Sequence, residues 1–145
     1  MKIKSVLKRA LPLAALGLLL LPSAPASAAT YEHGPWYSAD SAPHEGTVYV
    51  HENGDIVKLC DTKSDAYHAK AYVYTGPTDN LQQVYWFTNW YNDGKCSYAK
   101  ASNGGDENLQ EGKKYYVQIC REENGGTQFE DKCTSYTHYW FLNDN

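Results

Sequence analysis

Between residues 47 and 142, apolar and polar side chains alternate in short runs separated by turn residues, and no stretch of useful length keeps a helical period. The runs predict strands over 47–51, 56–60, 67–74 and 81–91, a short one ending near Tyr98, and then 113–121, 127–133 and 136–142. In the first, Val48 and Val50 alternate with Tyr49 and His51; in the second, Val57 and Leu59 oppose Lys58. Asn53-Gly54 between them is a strong hairpin signal. The stretch 54–74, GDIVKLCDTKSDAYHAKAYVY, reads as one hairpin bent around the polar knot Asp61-Thr62-Lys63-Ser64-Asp65. About seven or eight short strands with regularly spaced turn signals predict an all-β domain, an antiparallel sandwich or small barrel. Residues 29–46 hold no sustained period and two prolines, so they are expected to form an irregular N-terminal arm ahead of one β domain over 47–145.

Two of these runs carry large rings on both faces. In 81–91, Val84, Trp86 and Trp90 point one way and Tyr85, Phe87 and Tyr91 the other; the last run, YTHYWFL, is similar. A two-layer domain buries one face of each sheet, so one row of rings needs another cover. That row suits a protein-docking surface, where Tyr and Trp are enriched, or a platform for sugar rings. The arm adds Tyr31, Trp36 and Tyr37, which should dock on their own domain or on a partner. The expected contact set is Trp36, Tyr37, Tyr85, Phe87, Tyr91 and Trp140.

The first 28 residues change the picture of where such a domain works. A basic start (Lys2, Lys4, Lys8, Arg9), an apolar run over 10–21 and the small-residue exit Ala26-Ser27-Ala28 are the marks of a secretory signal peptide, and the run is too short to span a bilayer. Removal of residues 1–28 takes four of the 13 Lys and Arg and none of the 17 Asp and Glu, leaving a formal charge of −8. So acidic a surface argues against nucleic acid or anionic membrane as partner and leaves cationic surfaces open; the expected partner is an extracellular protein or a carbohydrate. In an exported chain the four cysteines imply two disulfides. Of three possible pairings, Cys60–Cys96 with Cys120–Cys133 is favoured, because the second pair bounds a short polar excursion like a hairpin tip. Each is worth roughly 3–4 kcal/mol on the chain-entropy estimate.

Candidate chemistry is thin. Asp61 and Asp65 are the best carboxylate pair, able in principle to share a proton, cleave a glycoside or hold calcium, but Asp in a polar knot ordinarily caps backbone N–H groups. Neither His44-Glu45 nor His51-Glu52 continues into H-E-x-x-H, no serine lies in G-x-S-x-G, and oxidised cysteines are not nucleophiles. No enzyme activity, cofactor or metal is expected.

The run GDIVKLCDTKSDAYHA, the later Gly94-Lys95-Cys96, and Leu109-Gln110-Glu111-Gly112 ahead of a Tyr-rich strand ending at Cys120 resemble a group of small secreted, disulfide-containing actinomycete β proteins. The likeness covers roughly residues 48–133 and departs at Ala66, where the group has glycine. It implies the fold; similar-sized exported β proteins of actinomycetes supply the candidate roles, an adaptor subunit of the secreted umbrella-shaped toxin particles or an inhibitor of an extracellular amylase or protease. The expectation is a secreted, non-enzymatic binding domain acting through its aromatic sheet face and arm. Inhibition would rest on the loop enclosed by Cys120 and Cys133; a carbohydrate-binding module is the further alternative.

Overall fold

The computed structural model describes residues 30–123 and 130–144. Two antiparallel sheets face each other as a sandwich that does not close into a barrel. The first sheet contains β1 (His33–Tyr37), β2 (Gly46–His51), β3 (Ile56–Asp61) and β6 (Cys96–Ala99), in the order β1-β2-β3-β6. The second is ordered β5 (Gln82–Asn89), β4 (Tyr67–Thr75), β7 (Lys113–Glu123). Along the far edge of β7 lie β8 (Glu130–Asp131) and β9 (Tyr139–Asn143). Two short 3-10 turns, Ala101–Asn103 and Gly105–Glu107, interrupt the connection from β6 to β7.

The core follows the alternation. Val48, Val50, Val57 and Leu59 of the first sheet meet Ala69, Ala71, Val73, Val117 and Ile119 of the second, with Tyr85, Tyr115 and Phe141 filling the remaining space. The layers approach closely at Gly46, where a Cβ would stand 2.9 Å from Ile119 Cγ2 and 3.1 Å from Ala69 Cβ. Asn53-Gly54 turns β2 into β3 as expected, within a four-residue loop in which Gly54 and Asp55 take positive φ. Asp55 is buried there and accepts the Leu109 N–H, tying the hairpin tip to the loop before β7.

One expected hairpin is absent. β3 pairs with β2 and β6, whereas β4 pairs with β5 and β7, so the Asp61–Asp65 knot carries the chain from one sheet to the other. Alternating runs on either side of a polar turn do not reveal whether they are partners or neighbours across the core. Part of the stretch read as an irregular arm is a strand: β1 pairs with β2 through His33↔Val50, Trp36↔Val48 and Tyr37↔Thr47. Of the expected strand over 127–133, 124–129 fall outside the described residues and 130–131 form β8. Both disulfides are the favoured ones, Cys60–Cys96 between directly opposed residues of β3 and β6, and Cys120–Cys133. Among the described residues, no helix is long and apolar enough to cross a membrane.

Candidate functional site

The face of the second sheet that points away from the core carries a group of exposed rings; Tyr98, also exposed, lies on β6 of the other sheet. Residues opposite each other in an antiparallel pair share a face, so the register Trp86↔Tyr72↔Gln118 places one row there. Tyr74↔Tyr116↔Trp140 places a second row two residues along, and Lys114↔Leu142 a third. Trp86 and Trp140 are each 52% exposed and Leu142 is 41% exposed. The two indoles lie three strand spacings apart, roughly 16 Å with the two-residue offset.

Two lysines hold these rings upright. Lys70 Nζ stands 4.4 Å from the centre of Trp86 and 5.1 Å from that of Tyr72, and is within 3.5 Å of Glu122 Oε1, whose other oxygen accepts the Thr88 hydroxyl. Lys114 Nζ lies 3.9 Å from the centre of Trp140 and 5.1 Å from that of Tyr116. Cation–π contact of this kind, worth about 0.5–1 kcal/mol at exposed sites, favours one ring orientation before anything binds. The result is a broad, partly preset surface of indole, phenol and alkyl groups.

The residues expected to make contact occupy three places. Trp140 is on this face. Tyr85 and Phe87 point the other way, into the core: they pair with Val73 and Ala71, and the small side chains of β4 leave room for the rings opposite. Burial accordingly pushes the Tyr85 phenol upward. Tyr91, 52% exposed, lies beyond the end of β5 with Lys95 Nζ 5.7 Å from its ring. Trp36 stacks on Tyr139 with centroids 5.2 Å apart and packs against the core, and the Tyr37 N–H and C=O both bond the Tyr139 hydroxyl. The arm thus docks on its own domain. It is also clasped by His33–Glu52 and His51–Glu32 pairs at 2.5 and 2.7 Å. Trp86, the indole that sequence placed opposite Tyr85, is the ring that faces water. The signal lay in β4: once Ala69, Ala71 and Val73 are assigned to the core, pairing decides the faces of β5.

The acidic knot is structural in its contacts. Asp61 accepts the Lys63 N–H at 3.0 Å and Asp65 the Tyr67 N–H at 2.8 Å. Beside it Glu45 and Asp61 are fully buried. Burial, with Asp61 and Asp65 adding repulsion, raises Glu45 to about 7. Asp61 rises to about 6, chiefly through burial. Asp40 is also desolvated, but hydrogen bonds from Lys63, Ser38 and the Glu45 N–H outweigh this and hold it low. No group of three or more His, Cys, Asp or Glu among the described residues could hold a metal ion. Half of the Cys120–Cys133 loop, 124–129, lies outside the described residues.

Fold and surface define the class: a two-sheet, disulfide-tied β-sandwich with an aromatic outer face. Comparison with protein-family models, curated proteins and solved structures finds no match.

Proposed function

We propose that this chain is a secreted, non-catalytic binding domain that docks an extracellular protein on the outer face of its five-stranded sheet. The observation that carries the reading is the pair of half-exposed indoles, Trp86 and Trp140, each braced by a lysine on a face that no described segment covers. Large rings with a polar handle are the usual anchors of protein interfaces, and a face spanning four strands is broad enough for one. The two disulfides suit an oxidising compartment. An adaptor that joins parts of an extracellular toxin complex is one form of this role. The docked arm supports the domain rather than reaching outward.

The test is affinity capture from culture supernatant with the mature protein and with a Trp86→Ala, Trp140→Ala double variant. Recovery of one stoichiometric extracellular protein by the parent, lost with the variant, supports the proposal. Equal recovery by both removes this face from the account.

A further inference from the structure

At one end of the second sheet, two tight turns face each other across a cleft of about 440 Å³ lined by Tyr74, Thr78, Asp79, Leu81, Ser135, Tyr136 and Thr137. The first turn closes with the Asn80 N–H on the Pro77 carbonyl at 2.9 Å, which puts Thr78 and Asp79 at its two central positions. The second closes with the His138 N–H on the Ser135 carbonyl at 3.1 Å and puts Tyr136 and Thr137 at its centre. Each turn therefore presents its tip residues to the same space.

Both walls are held in place independently of any ligand. Gly76, at φ +111°, starts the first wall where only glycine is comfortable: a Cβ there would meet the Asn80 carbonyl at 3.0 Å. The Gln82 amide then bonds the Asn80 side chain at 2.9 Å. The second wall follows Cys133, which is tied to Cys120, and Thr134, whose N–H and hydroxyl bond Ile119 and whose carbonyl accepts the Gln118 amide. Between the walls the Tyr136 ring, 52% exposed, stands edge-on to Tyr74 with centroids 5.2 Å apart at 87°.

The lining selects among ligands. Six of its seven side chains carry a hydroxyl or a carboxylate, so a wholly apolar ligand would strand polar groups. Asp79 is its one charge and no cation lines it, which disfavours anions. A single carboxylate is also short of the oxygen set that a calcium ion needs. What remains is a neutral molecule with many hydroxyls and one flat apolar face. A carboxylate can accept from two of its hydroxyls, Thr78, Ser135 and Thr137 can donate or accept, and the half-exposed Tyr136 ring can cover its C–H groups. The volume is that of an ordinary ligand cleft.

We propose that this cleft binds a sugar ring of a neutral polysaccharide, with Tyr136 as the stacking platform and Asp79 as the hydroxyl acceptor. The cleft adjoins the Trp86–Trp140 face at Tyr74, but neither indole lines it. Isothermal titration of the mature protein with cellohexaose, xylohexaose, chitohexaose and maltoheptaose tests it, with trigalacturonate as the charged comparison. At least one neutral oligosaccharide binds; Tyr136→Ala and Asp79→Asn each weaken it by about tenfold or more, the scale of one lost stacking contact or charge-assisted hydrogen bond. Trp86→Ala, Trp140→Ala leaves it unchanged. The proposal is overturned if none of the four neutral probes binds at millimolar concentration, if trigalacturonate binds in their place, or if Tyr136→Ala and Asp79→Asn, both folded by circular dichroism, bind as the parent does. Protein capture that survives in these cleft variants keeps the two proposals separable.

Discussion

Glu45 sits with no solvent exposure, and its nearest cation, Lys63 Nζ, is 3.9 Å away and already bonded to Asp40 at 2.6 Å. Neither of its carboxylate oxygens has a hydrogen-bond partner among the described residues. The folded chain therefore keeps the Glu45 proton up to about pH 7, whereas the unfolded chain gives it up near the ordinary value of 4.5. Asp61 behaves alike between 3.8 and about 6. Over that window the folded state binds more protons than the unfolded state, so stability falls as pH rises from about 4 to 7 and levels off above. Urea denaturation at pH 4.5, 6 and 8 should show the midpoint declining, and Glu45→Gln should flatten the decline. A midpoint that climbs over this range, or a Glu45→Gln profile parallel to the parent's, contradicts it. Gly46 is the steric counterpart: Gly46→Ala places a methyl against Ile119 and Ala69 and should cost about 1–3 kcal/mol by the same assay.

At the scale of the element, alternation located every described strand except β1, whose Gly34-Pro35 suppresses the pattern, but it started the last one too early: 136–138 form a turn and β9 begins at Tyr139. Pairing was less legible. The 54–74 stretch looks like a hairpin because local pattern carries parity but not partner, and only the packed layers show β3 and β4 on opposite sides of the core. The faces of β5 were equally ambiguous, since YWF is apolar whichever way it turns; the alanines of β4 resolve it. Tyr85→Ala, which empties core space, should cost about 3 kcal/mol or more, as aromatic truncations in cores do. Trp86→Ala on the outer face should stay within about 1 kcal/mol, the scale of its cation–π contact. Equal losses at the two positions would mean that the faces are wrongly assigned.

For the molecule as a whole, the surplus of ring surface read from the sequence persists in the fold, but on a different row. Tyr85 and Phe87 went inward, Trp36 closed the domain edge against Tyr139, and Trp86, Trp90, Tyr91, Tyr98, Tyr136 and Trp140 were left facing water. The cleft beside them was not legible, because its walls come from turns 58 residues apart, at Pro77 and Ser135, whose contact depends on the Cys120–Cys133 staple and on β4–β7 pairing. The two disulfides close loops of unequal length, with separations of 36 and 13 residues. On chain entropy, Cys60→Ala, Cys96→Ala should cost about 4 kcal/mol and Cys120→Ala, Cys133→Ala about 3. Only the second pair anchors a wall of the cleft, two residues ahead of Ser135, so only its removal should also disturb oligosaccharide binding.

The central claim is that the outer face of the five-stranded sheet meets a protein, and a photo-crosslinking amino acid reports it directly. Placed at Leu142 on that face, and in a separate preparation at Tyr98 on the outer side of the other sheet, it reads which surface is covered in culture supernatant. The account predicts a single cross-linked extracellular protein at position 142 and none at 98. A cross-link at 98 with none at 142 would contradict it.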